Sequence, residues 1–116
     1  AEAAIAAAKW AAHVLIPVEP HMSSLETLAS VGEILALAGK PNATVVINRA
    51  PPLGKRHEDA SQALRSQGFT VAPITLFQRA AYSDSTNLGS TAGEYEPNGK
   101  AATEVALLYD YIGKVI

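Results

Sequence analysis

The 116-residue chain has no cysteine, which removes disulfides, thiolate metal sites and cysteine nucleophiles together. Long apolar runs are missing too. The strongly apolar stretches reach about 5 to 7 residues, far short of the roughly 20 that span a bilayer. Neither charge sign dominates: nine Lys and Arg face eleven Asp and Glu, for a net charge of -2. A protein that coats nucleic acid through bulk charge would be more basic, so only a local basic patch could do so. The alanine-rich start, residues 1–12, is interrupted by Glu2 and Lys9 and has no signal-peptide layout. The first residue is not Met, so the chain reads as a processed, truncated or partly ordered piece of something longer. With 48% hydrophobic and 17% charged residues, a core is expected and disorder is not.

Helix and strand signals alternate along the chain. Residues 1–12 are almost pure helix former. Residues 13–18 form a short apolar run without alternation, which suits a strand covered on both faces. Pro17 and Pro20 then punctuate. Ser23, Ser24, Leu25 and Glu26 have the form of a capping box. Leu25, Leu28, Val31, Leu35 and Ala38 follow at helical spacing, with Gly39 and Pro41 as stop signals. Residues 44–48 form a second buried strand. Residues 57–67 form a helix with Ala60, Ala63 and Leu64 inward, closed by Gly68. Residues 69–76 form a third strand, with Pro73 marking an edge or an end. Residues 78–93 look irregular, with one short helix over 80–85. Asn98 can cap a last helix running to Gly113, with Ala102, Val105, Leu108, Tyr109 and Ile112 on its inner face.

This order predicts an α/β fold of three layers, a parallel sheet with helices on both faces. Parallel sheets prefer more than three strands, so the chain reads as about half of a doubly wound domain.

Most motifs with intrinsic chemistry fail. A phosphate-binding P-loop needs Gly, four residues, then Gly-Lys-Ser/Thr. The stretch from Gly93 to Ala101 has five intervening residues and Ala101 in place of the hydroxyl. Gly54-Lys55-Arg56 lacks the earlier glycine, no GxGxxG occurs, and no GxSxG elbow supports a hydrolase triad. His13, His21 and His57 lack metal-ligand spacing and read as surface or strand-end residues. Glu58 and Asp59 are adjacent, so they point to different helix faces. Basic residues cluster at Arg49, Lys55, Arg56, Arg65 and Arg79; the loop from Arg49 to Arg56, and Arg79, follow strand ends, where open parallel sheets bind ligands. They are either solvated loop charge or phosphate contacts to a nucleotide or a DNA backbone.

Four segments, in order, resemble ParA-type partition ATPases, and they cover nearly the whole chain. Val14 to Pro20 resembles the family's LIPV-x-P strand and turn. Val45 to Arg49, with the following Pro-Pro-Leu-Gly-Lys-Arg loop, resembles its next segment. Residues 77–85 resemble its QR-x-A segment, and Glu94 to Glu104 resembles the stretch leading into its last helix.

The resemblance implies the C-terminal half of a deviant P-loop ATPase for plasmid or chromosome partition. The P-loop, the Mg²⁺-binding acid and the switch segments belong to an N-terminal half, so this chain alone is expected to be inactive. ATP and Mg²⁺ would be cofactors of the longer parent. The implied partners are the missing half, a second copy in a homodimer, a ParB-like centromere-binding protein and non-specific DNA, but no membrane. The implied location is cytoplasmic, at the bacterial nucleoid. Asn48 would sit against adenine, and Ile74, Thr75, Leu76 and Phe77 would line the adenine pocket. Pro17 and Pro20 match a turn near the dimer interface, or simply punctuate the chain. Lys55, Arg56 and Arg79 match regions that contact DNA. Two other readings stay open. One is a non-enzymatic α/β module that binds DNA or protein. The other is a fragment of a MinD-like positioning ATPase, although Lys100 and Lys114 are the only bases from residue 99 onward, few for a membrane-binding helix.

Overall fold

A computed structural model describes residues 2–21, 26–39 and 43–116. The elements are α1 (Glu2–Trp10), β1 (Leu15–Val18), α2 (Leu28–Leu37), β2 (Thr44–Ile47), α3 (Arg56–Ser66), β3 (Thr70–Val71), α4 (Ala80–Asn87), α5 (Ala92–Tyr95) and α6 (Lys100–Val115). The strands form one parallel sheet in the order β1-β2-β3, so the fold is α/β. Leu15 pairs with Thr44 and Val18 with Ile47, while Thr44 and Val45 pair with Thr70 and Val71. Parallel neighbours need a long return crossover. The first contains α2 and the second α3.

β2, the central strand, is buried at all four positions. That is the condition its unbroken apolar run predicts. β1 is different. Ile16 and Val18 are buried and Pro17 is exposed, because β1 is an edge with cover mainly on one side. The main core packs Ile16, Val18, Val45, Ile47 and Val71 against Leu28 and Leu35 of α2 and Ala60 and Leu64 of α3. Gly39, just past the C-cap of α2, has φ +75°, where a side chain would be strained. The capping-box reading at Ser23 to Glu26 and the stop signal at Pro41 lie wholly or partly outside the described residues.

The third strand is shorter than the expected 69–76. The Ala72 N–H donates to the Val45 carbonyl, and the next bond to β2 comes from Leu76, to the Ile47 carbonyl. Between them Pro73, Ile74 and Thr75 bulge out. Proline cannot supply a ladder donor, so the strand breaks there. Pairing resumes as a bridge between Ala50 and Phe77.

The C-terminal third also departs from the sequence reading. Residues 78–93 hold the expected short helix, α4, two residues longer than expected, and also the start of α5. The signal for α5 is a capping box: the Glu94 N–H donates to the Thr91 hydroxyl, and the Thr91 N–H donates to the Glu94 carboxylate. The N-cap of α6 is Gly99, not Asn98, and α6 runs two residues past Gly113. Ala101 and Glu104 are its buried residues, whereas Val105 and Tyr109 are 42% and 76% exposed. The expected inner face is therefore shifted in part: Ala102, Leu108 and Ile112 are half-buried, but the chain buries Glu104 beside the position where the apolar count put Val105.

Candidate functional site

A cleft of about 400 Å³ opens where the chain leaves β2 and where it re-pairs after β3. Asn48, Arg49, Leu76, Phe77, Arg79 and Tyr82 are among its lining residues. Its floor is main chain. The Ala50 N–H donates to the Leu76 carbonyl at 3.1 Å, and the Gln78 N–H donates to the Ala50 carbonyl at 2.8 Å. These bonds fix the backbone of 76–78 beside Asn48, whose carboxamide makes no hydrogen bond to a described residue.

Arg49 is the one non-glycine among the described residues with positive φ, at 54°. A side chain there costs about 1 to 2 kcal/mol. The kink lets Ala50 rejoin the ladder opposite Phe77. It also leaves the Arg49 side chain exposed, its Nε 3.3 Å from Gln78 Oε1 and 3.5 Å from Glu19 Oε1. Glu19 accepts in turn from His21 at 3.1 Å. Residues just beyond β1, β2 and the re-paired segment are thereby joined across one rim.

Behind the cleft wall lies a buried polar cluster. Glu104 of α6 accepts from the Phe77 N–H (3.2 Å) and the Tyr82 hydroxyl (2.9 Å) on Oε1, and from Arg79 Nε (2.7 Å) on Oε2. The Glu104 and Arg79 side chains are 11% and 22% exposed. Phe77 is held on two sides, by the Arg79 guanidinium 5.2 Å from its ring centroid and by the His57 ring edge-on at 4.9 Å. Burial first, and then the hydrogen bond to Glu104, pushes the Tyr82 phenol well above its ordinary range. It is a donor at every physiological pH.

Of the residues singled out for nucleotide contact, Asn48, Leu76 and Phe77 meet in this cleft. Thr75 does not. It lies in the bulge and lines a separate groove with His57 and Arg65, and half-buried Ile74 lines neither. Lys55 and Arg56 are exposed at the start of α3, outside the cleft, while Arg79 lines it and is tied to Glu104. Pro17 is exposed on the sheet edge, and Pro20 is buried in its own chain. His13 is no simple surface residue, since its Nε2 lies 2.8 Å from the buried Thr44 hydroxyl. The sequence reading missed Glu104 and Tyr82, whose positions carry no spacing signal, and it had no means of seeing the Arg49 backbone.

Among the described residues no group of three His, Asp or Glu side chains could hold a metal ion, and no helix is long and apolar enough to cross a membrane. No protein-family model matches the chain, and no curated protein matches it.

Proposed function

We propose that the chain is the C-terminal portion of a ParA-like ATPase acting in plasmid or chromosome partition, and that its cleft receives the base end of ATP. The observation that carries this reading is the meeting of a free carboxamide, Asn48, with the fixed main chain of 76–78 at the carboxyl end of a parallel sheet. Open α/β sheets bind ligands there. A carboxamide beside backbone donors and acceptors suits the hydrogen-bonding edge of a purine. In this reading the phosphates, the metal and the hydrolytic chemistry fall to a P-loop half. Lys55 and Arg56, exposed and with no partner in the described chain, are the residues for non-specific DNA phosphates. Arg79 is largely committed to Glu104, so its share in DNA contact is the smaller.

The test is adenine-nucleotide binding by the full-length gene product, followed with a fluorescent ATP analogue. Asn48→Ala should weaken binding by about 1 to 2 kcal/mol, the scale of lost hydrogen bonds with partners left unpaired. A folded Asn48→Ala protein with wild-type affinity, or a gene product with no P-loop, would sink the reading.

A further inference from the structure

Glu104 is buried, negatively charged and outside the cleft, yet every group it binds belongs to the cleft wall. The Phe77 N–H, the Arg79 guanidinium and the Tyr82 hydroxyl come from three positions along one six-residue segment. The acceptor comes from α6, which contributes no residue to the lining. A carboxylate withdrawn from water is tolerated when its oxygens are filled. Here the filling fixes both ends of the wall: Phe77, whose neighbour Leu76 is pinned to β2, and Tyr82, in the first turn of α4. With Nε held by Glu104, the Arg79 guanidinium lies over Phe77.

We propose that Glu104 is the positioning residue of the cleft, setting the Phe77 amide, the Arg79 guanidinium and the Tyr82 hydroxyl from α6 without touching the ligand. The ligand's identity rests on the nucleotide reading above; the geometry does not. Glutamine at this position keeps one oxygen for Phe77 and Tyr82 but turns an N–H₂ group, a donor, toward the Arg79 donor. The variant is close in shape and breaks one contact.

Glu104→Gln, Arg79→Gln and the double variant are made in the full-length gene product. Hydrogen exchange is followed by mass spectrometry, with binding of a fluorescent ATP analogue as the second readout. Glu104→Gln should unfold cooperatively, exchange faster over 76–82 and leave 44–47 unchanged. Its nucleotide affinity should fall about tenfold, the scale of one charge-assisted hydrogen bond, and the double variant should bind no worse than the weaker single. Unchanged exchange over 76–82, or equal acceleration over 44–47, would overturn the proposal, as would single effects that add. If Glu104→Gln does not fold, Tyr82→Phe carries the test, because it removes one donor and must still speed exchange at 77–79. Selective loosening of 76–82 in a protein that binds no adenine nucleotide would retire the nucleotide reading and leave the positioning role standing.

Discussion

Arg49 and Tyr82 show how single residues in the cleft region depart from ordinary conformational and titration behaviour. Arg49 occupies the left-handed region, where glycine has no steric penalty. Arg49→Gly should therefore leave the fold unchanged or stabilise it by about 1 kcal/mol, as strain relief outweighs the greater freedom of glycine in the unfolded chain. It should also weaken anionic ligands of the cleft. Chemical denaturation beside ligand titration reads both, and a clear loss of stability would mean that the contacts with Glu19 and Gln78 outweigh the strain. Tyr82 gives a pH signature. Its folded phenol ionises above its ordinary value of 10.0, so the folded state holds its proton more tightly than the unfolded state. That contribution is full below pH 10, and it is lost as pH rises from there toward the folded value. In Tyr82→Phe the alkaline decline in stability should be shallower, as measured by unfolding at pH 9 and pH 11.

The elements were legible in proportion to how local their causes are. β2 and α3 follow from apolar runs, helical spacing and a closing glycine, and they stand within a residue of their expected bounds. α5 was missed although Thr91 and Glu94 spell its cap, because four residues carry no periodicity to draw attention. The bulge at 73–75 was half legible: Pro73 marks a break, but only tertiary pairing shows that the ladder resumes at Leu76. The face of α6 was misread because the count treated burial as apolar, whereas Glu104 is buried by three donors from a segment more than 20 residues away. The family resemblance singled out Asn48 and Phe77, which line the cleft, but not Glu104, the residue that holds the Phe77 N–H. The α5 cap itself is testable. Thr91→Ala should cost about 1 kcal/mol, the usual worth of an N-cap. Hydrogen bonds from the Thr91 N–H and hydroxyl region hold the Glu94 carboxyl below its ordinary value. Its support is therefore present at neutral pH and fades only as pH falls below the glutamate range. The residue-91 N–H survives Thr91→Ala, so Glu94→Gln reads the titrating part: its stability difference from wild type should shrink in acid, and a difference constant from pH 7 to pH 2.5 would remove the cap's electrostatic part.

The whole molecule exposes more surface than its size requires. Its accessible area is 7456 Å², about 1,400 Å² above the expectation for a folded 12.1 kDa monomer. Its radius of gyration of 15.0 Å exceeds the roughly 13 Å of a compact chain of this length. The open edge contributes: Val14 and Val18 of the β1 segment accept from β2, so the alternate position, Pro17, turns its nitrogen outward and offers no donor there. α6 contributes more. Its 16 residues should extend about 24 Å, yet only Ala101 and Glu104 are buried. Sequence pattern alone puts Val105 and Tyr109 in the core, and the structure puts them in solvent; the two assignments differ in a measurable energy. A core tyrosine or valine replaced by glutamine would cost several kcal/mol, through lost transfer energy, a cavity and an unpaired amide. A solvent-facing one should change stability by no more than about 0.5 kcal/mol. Val105→Gln and Tyr109→Gln should therefore unfold in denaturant as the 116-residue chain does, whereas Leu64→Ala, at a site 1% exposed, should lose about 2 to 5 kcal/mol. If Tyr109→Gln costs more than about 1.5 kcal/mol, the outer face of α6 packs on the body of this chain and the shifted face described above is wrong.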